Sequence, residues 1–349
     1  MIIINGRTLN DLRQKQSLPL DAKISMTKSR IRDWVREYGT DGVYVSFSGG
    51  KDSTVLLHIV RSMYPNIEAV FVNTGLEYPE IQKFVKTFEN VTILRPEMTF
   101  NEVIKKYGYP VISKETATVV EYASNGSKWA LERINGERKD RNGEQSQFNN
   151  LKYKPLIDVD FEISSRCCLV MKKKPAKAYA KKTGKYPMTG QMAEESQLRT
   201  QQWLKNGCNG FDMKSPTSNP MSFWTEQDVL KYIKQYNVPI ASVYGEVVYA
   251  VDPEQIRIDE LLNDYSETDR LTTSGCKRTG CIFCAFGCHL EKEPSRFQRL
   301  KETHPKQYKY CIDGGEYVDG VWKPNKNGLG MGHVFNELNK LYGDGFIKY

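Results

Sequence analysis

Residues 43–63, "VYVSFSGGKDSTVLLHIVRSM", constrain the fold of this chain more than any other stretch. A short β-rich run (43–48) meets two glycines and a lysine, and beyond them Val55, Leu56, Ile59, Val60 and Met63 fall on one helical stripe. A second apolar run, "IEAVFVNTG" (67–75), follows, so the stretch predicts a βαβ unit. A further helix at about 79–89, the strand "VTILRP" and a later strand in "KYPMTGQ" (185–191) continue the alternation. Such alternation predicts an α/β fold: a doubly wound, Rossmann-like parallel sheet with helices on both faces.

Other segments attach to that core. In "KISMTKSRIRDWVREY" (23–38), Ile24, Ile31, Trp34 and Val35 lie near helical spacing and predict a leading helix. "TEQDVLKYIKQYNVP" (225–239) opens on a Thr cap, carries Val229, Tyr232, Ile233 and Tyr236 at helical spacing and stops before Pro239. Residues 124–150 are polar, charged and glycine-punctuated, and read as an insertion or mobile loop. From Thr272 the composition turns to cysteine, glycine and basic residues. The expected organisation is therefore a helical segment (1–40), a nucleotide-binding α/β domain (41–270) and a smaller cysteine-rich, cofactor-binding C-terminal subdomain (271–349).

The 349 residues suffice to bury a sizeable core. They contain no 18-residue apolar run, and "MIIINGRTLNDLRQKQ" lacks the basic and long apolar regions of a secretory leader, so a cytoplasmic protein without membrane contact is expected. Lys and Arg outnumber Asp and Glu by 50 to 42, a formal +8. Between Arg166 and Gly190 there are eight basic residues and no acidic one, a local field suited to a polyanion or equally to a solvated face.

A strand that turns through Gly49 and Gly50 into a helix near Asp52 aims backbone N–H groups and the positive end of the helix dipole at one spot, where anions bind. Glycine permits close approach of the backbone to phosphate oxygens, Lys51 adds a point charge, and Ser48 and Ser53 bring hydroxyl donors. The spacing differs from the Walker A loop, which needs G-x-x-x-x-G-K-S/T.

"SGGKDS" resembles the pyrophosphate loop of the adenine-nucleotide alpha-hydrolase superfamily, the PP-loop ATP pyrophosphatases. "VNTGLEYPE" (72–80) resembles that family's L/V-D-T-G signature, with Asn73 at the usual Asp position. "GQMAEESQLR" (190–199) resembles its G-x-R-x-x-E-S-x-x-R loop, with Met192 in place of the first Arg and Glu195, Ser196 and Arg199 kept. Within the superfamily the chain is most similar to the phosphoadenosine phosphosulfate reductase family, broadly understood. The resemblance implies that ATP, with Mg2+, is cut between its α and β phosphates while an adenylate forms on the substrate. It implies nucleotide contacts from Ser46, Ser48, Gly49, Gly50, Lys51, Asp52, Ser53, Asn73, Thr74, Gly75, Gly190, Glu195, Ser196 and Arg199, with Lys51, Asp52 and Arg199 at the chemistry. An i,i+4 salt bridge from Arg199 to Glu195 is the plainer reading of that arginine.

The cysteines cluster in a way that points to metal or sulfur chemistry rather than disulfides. Cys276, Cys281, Cys284 and Cys288 have the spacing C-x4-C-x2-C-x3-C, which suits a 4Fe–4S cluster or zinc. A rival set resembles cluster-bearing sulfonucleotide reductases: Cys167 and Cys168 with Cys281 and Cys284, where "RCCLVMKKKP" is similar to C-C-x-x-R/K-K-x-x-P with Met171 at the R/K position. The compact quartet is preferred here because it occupies one short segment, which leaves Cys167 or Cys168 as a nucleophile or persulfide carrier flanked by Arg166, Lys172 and Lys173. The bland reading of the pair is two small buried hydrophobes.

Three functions fit these features. The first is ATP-dependent sulfur transfer onto an adenylated acceptor, with tRNA or DNA as the polyanionic partner and a cysteine desulfurase as sulfur donor. The second is reduction of adenylyl sulfate or its 3′-phosphate, against which stand the intact "SGGKDS" and the lack of an E-C-G-I/L-H segment within these residues. The third is a subunit that binds nucleotide and nucleic acid without turnover.

Overall fold

The computed structural model describes residues 5–250 and 270–349. The chain forms two compact units: Met1–Asn73, Glu77–Leu94 and Ala176–Thr279 make the first, and Thr74–Leu76, Arg95–Pro175 and Gly280–Tyr349 the second.

The first unit holds a six-stranded sheet. From the central strand Val43–Ser46 the order runs to Ala69–Val72 and Val91–Leu94 on one side, and to Tyr186–Thr189, Thr217–Ser218 and Asn209–Gly210 on the other. Val45 pairs with Ala69 and Met188, and every neighbouring pair is parallel except the last, where Asn209 faces Ser218 in antiparallel sense. The order reverses at Val43–Ser46. Right-handed crossovers running outward both ways put helices on opposite faces, the doubly wound arrangement, whose ligand crevice opens beyond the carboxyl ends of the strands at the reversal.

Apolar stripes explain the helices. Leu20–Tyr38 buries Ile24, Ile31, Trp34 and Val35, and Lys51–Met63 buries Val55, Leu56, Ile59 and Val60. These side chains form one core with Val45, Phe47, Met188 and Trp224, each such burial contributing about 1.5–3 kcal/mol. Thr225 caps Glu226–Tyr236 by exchanging hydrogen bonds with Asp228, and Asp228 also pairs with the buried ammonium of Lys23 at 2.6 Å.

The second unit is built mainly from helices, among them Phe100–Tyr107, Lys114–Ser124, Arg296–Thr303 and Met331–Tyr342, around Tyr109, Phe161, Phe297 and Phe335. A parallel two-residue pairing of Val111–Ile112 with Ala285–Phe286 joins its distant segments. Glu316–Val318 and Val321–Lys323 form a hairpin turned by Asp319 and Gly320, both at positive φ, as a two-residue turn requires.

The unit boundaries depart from a split at residue 270. Residues 95–175 group with 280–349, tied by the Val111–Ile112 pairing, whereas Leu271–Thr273 pairs with Val247–Tyr249 in the first unit. The polar stretch 124–150 is partly folded: Lys128–Ile134 is helical and buries Ala130 and Ile134, and Arg133 donates to the Phe148 carbonyl at 2.8 Å. Among the described residues no helix is long and apolar enough to cross a membrane.

Candidate functional site

In the first unit the central strand ends at exposed Ser46, and the chain turns through Ser48, Gly49 and Gly50 into the helix Lys51–Met63. Gly49 has φ +72°, and a Cβ there would lie 2.8 Å from Ile81 and Val85 methyls, so the turn needs glycine on both counts. Gly190 permits a second close approach, since its Cβ would lie 2.9 Å from the Asp52 carbonyl oxygen. The two serines brace the loop themselves. Ser48 N–H donates to Ser53 Oγ (3.1 Å), Gly50 N–H to Ser48 Oγ (3.3 Å), and Ser53 Oγ to the Gly50 carbonyl (2.9 Å).

Lys51 is 3% exposed. Its Nζ donates to the Lys277 carbonyl at 3.0 Å, lies 3.0 Å from Glu226 Oε1 and 3.9 Å from Asp52 Oδ1. Its backbone N–H donates to the Tyr244 hydroxyl (3.3 Å), which is 2.5 Å from Thr279 Oγ1. Burial pushes the Asp52 carboxyl above its ordinary range, against the opposing pull of Lys51, and its Oδ1 is buried without a hydrogen-bond partner. Burial likewise raises Glu194 and the Tyr244 phenol.

Glu195 gathers two guanidinium groups: Arg199 and Arg278 both pair with its Oε2, the latter at 2.9 Å, while its Oε1 accepts from Met192 N–H at 3.0 Å. Arg199 thus makes the i,i+4 bridge, and Ser196 caps the helix Gln197–Asn206 by accepting from Arg199 N–H at 3.4 Å. Met192 is 3% exposed and belongs to the core. Asn73 closes its strand in this unit by donating from its N–H to the Leu94 carbonyl (2.8 Å). Thr74 and Gly75 fall in the second unit, where Thr74 Oγ1 accepts from Leu76 N–H (3.1 Å).

Sequence reasoning missed Tyr244, Glu226 and the triplet Lys277–Thr279. The available signal was a Lys-Arg-Thr run framed by Gly275 and Gly280.

In the second unit Cys167, Cys168, Cys281 and Cys284 line one small cavity with Leu76, Phe100, Pro110, Met171 and Lys172. Two local features deliver these thiols. Cys167 and Cys168 lead into the π-helical turn Leu169–Lys173, which a widened hydrogen-bond ladder allows, and the pairing of Ala285–Phe286 fixes the segment that follows Cys284. Ile282 N–H donates to the Leu76 carbonyl at 2.8 Å, and Arg296 Nη1 to the Cys284 carbonyl at 2.8 Å. Hydrogen bonding from Cys167 lowers the Cys168 thiol to about 6, helped by Lys114, Lys172 and Lys173, and Cys167 is raised in turn by the same bond.

Of the quartet expected from spacing, Cys281, Cys284 and Cys288 belong to the second unit. Cys276 belongs to the first unit, and Cys288 is buried, donates from Sγ to the Ala285 carbonyl (3.0 Å) and is pushed up to about 12 chiefly by burial. Cys208 takes a hydrogen bond from Ser222 Oγ at 3.3 Å, and Cys311 is buried against Met331.

The sequence matches the phosphoadenosine phosphosulfate reductase domain over residues 42–121 and 113–286. It is 22% identical over 295 residues to an uncharacterized protein of Methanocaldococcus jannaschii, a match covering 80% of this chain and 51% of that relative, so the chain matches about half the relative's length. It is also 22% identical over 265 residues to an adenosine 5′-phosphosulfate reductase of Oceanobacillus iheyensis, over 72% of this chain and 86% of that enzyme. Among solved structures it is similar to a phosphoadenylyl-sulfate reductase of Candida auris in a phosphate complex, at 14% identity and TM-score 0.37, over 68% of this chain and 92% of that one.

Proposed function

The chain belongs to the phosphoadenosine phosphosulfate reductase family, and from that premise we propose that it is an ATP-dependent sulfurtransferase forming AMP and pyrophosphate. The observation that carries the reading is the intact loop 48–53 with the Lys51 ammonium buried at the start of its helix. The acceptor's oxygen attacks the α-phosphorus of ATP, the bond to the bridging oxygen breaks, and pyrophosphate leaves. Lys51, Arg199 and the backbone N–H groups of the loop stabilise that leaving charge, which is electrostatic and positional catalysis. The buried oxygen of Asp52 fits a divalent cation such as Mg2+ brought with the nucleotide.

A sulfide-level sulfur would then bond to the acceptor atom that bears AMP, breaking that atom's bond to the bridging oxygen, and AMP would leave with the electron pair of the broken bond. Cys167, Cys168, Cys281 and Cys284 form a soft donor set that fits a 4Fe–4S cluster, with zinc as the alternative ion. Bound there, such a group would hold sulfur at the sulfide level and keep the thiols as thiolates. A cysteine desulfurase is the natural class of donor. The acceptor is a nucleic acid, tRNA or DNA: the helix Lys174–Thr183 within the basic stretch buries none of its residues, leaving its lysines available to phosphates.

A second reading, reduction of a sulfonucleotide, draws support from the name of the Oceanobacillus relative and from the same four thiols. Calorimetric titration of protein purified without oxygen separates the two. Tight binding of ATP with weak binding of phosphoadenosine phosphosulfate supports adenylating sulfur transfer, whereas the reverse preference favours reduction.

A further inference from the structure

Within the first unit the triplet Lys277–Thr279 touches Lys51 of the phosphate loop and two of the loop's neighbours, Tyr244 and Glu195. The Lys277 carbonyl accepts from Lys51 Nζ at 3.0 Å, and Thr279 Oγ1 lies 2.5 Å from the Tyr244 hydroxyl that accepts from Lys51 N–H. Between them Arg278 Nη2 sits 2.9 Å from Glu195 Oε2, the oxygen that Arg199 also uses.

One carboxylate neutralises one guanidinium, so the Arg199–Glu195–Arg278 group retains a net positive charge. Arg278 stands close enough to the loop to act on the Asp52 carboxyl, as Glu195 does in the opposite sense. The Arg278 side chain is 63% exposed and its bond to Glu195 is a surface ion pair, worth little and easily exchanged for an incoming anion. A guanidinium presents a planar fork that matches phosphate oxygens. No cation comes from Met192, whose side chain is buried in the core.

We propose that Arg278 is a substrate-binding residue that grips the β,γ-phosphates at the loop, exchanging Glu195 for phosphate oxygens. The assignment rests on the reading that a polyphosphate occupies residues 48–53. It makes the segment after Cys276 a third wall of the nucleotide site, beside the loop and the 190–199 turn, and it gives the site a residue that distinguishes nucleotides by their phosphate number.

The test is calorimetric titration of the full chain with magnesium pyrophosphate, magnesium ATP and AMP, comparing Arg278→Ala, Arg278→Lys and the charge-matched control Arg36→Ala. Loss of a charge-assisted contact predicts that Arg278→Ala weakens pyrophosphate and ATP about ten- to a hundredfold and leaves AMP unchanged. Arg278→Lys restores part of the affinity, and Arg36→Ala binds as wild type. The assignment is overturned if Arg278→Ala binds pyrophosphate as wild type does, or if it loses AMP and pyrophosphate equally, the mark of a structural lesion. Failure of the wild type to bind either pyrophosphate or ATP would instead remove the reading beneath it, and this assignment with it.

Discussion

The ammonium of Lys51 is held between the carbonyl oxygen of Lys277 and the carboxylate of Glu226, 3.0 Å from each. A buried charge needs such partners, because desolvation without them is far costlier than the few kcal/mol by which a domain is stable. The pairing also fixes where the charge points, at the end of the strand where the loop turns into its helix. Glu226 is 47% exposed, so it remains solvated when the lysine is replaced.

Lys51→Met keeps most of the volume and leaves Glu226 in water, while Asp52, which loses Lys51 as its ion-pair partner at 3.9 Å, is left to take a proton. AMP formation from ATP should nevertheless drop by about two to three orders of magnitude, the usual effect of removing one preorganised group facing developing charge. Turnover at the wild-type rate would sink the loop assignment.

Gly49→Ala should destabilise the first unit by about 2–4 kcal/mol, combining the left-handed backbone penalty with overpacking against Ile81 and Val85. Urea unfolding would register this as a lower midpoint at unchanged slope. An unshifted midpoint would mean that the loop relaxes freely at this residue.

Metal content discriminates between the two cysteine sets. In protein prepared without oxygen, Ser in place of Cys167, Cys168, Cys281 or Cys284 should lower bound iron, or zinc, several-fold, whereas Cys276→Ser and Cys288→Ser should retain it. Loss confined to the 276–288 quartet would return the site to the grouping that spacing alone suggests.

Protein prepared free of metal should show a pH signature. Cys168 has its thiol lowered to about 6, and the thiolate is the reactive form, so its alkylation rate should rise as pH increases through 6 and level off above 7. Cys288, pushed up to about 12, should remain inert throughout. Peptide mapping of the alkylated sites reads the order directly, and equal rates at both cysteines would overturn it.

The parallel core was legible because its signals are periodic. The stripe Val55, Leu56, Ile59 and Val60 and the cap Thr225 each encode local structure within a few residues, and both stand where the pattern puts them. The second unit was not, since it depends on two-residue strands, Val111–Ile112 and Ala285–Phe286, far apart in sequence and too short for any period. Cysteine spacing left the ligand set open for a related reason: nearness along the chain does not reveal that Cys167 and Cys168 line one cavity with the distant Cys281 and Cys284. The loop serines, legible as hydroxyl donors, also lie 3.0 Å from one another, a contact that residue type alone does not reveal. Lys277 escaped notice because it contributes a backbone carbonyl, which every residue has.

Because Gly49 packs the turn against Ile81 and Val85 while Ser48 and Ser53 lace it together, contacts within the protein hold the loop 48–53 in its wound form. A ligand therefore meets a mould rather than a string. Little of its affinity goes into ordering backbone, its arrival is not limited by a folding step, and the heat-capacity change on binding stays small. A site of this kind discriminates by fit, rejecting anions that do not match a shape already set.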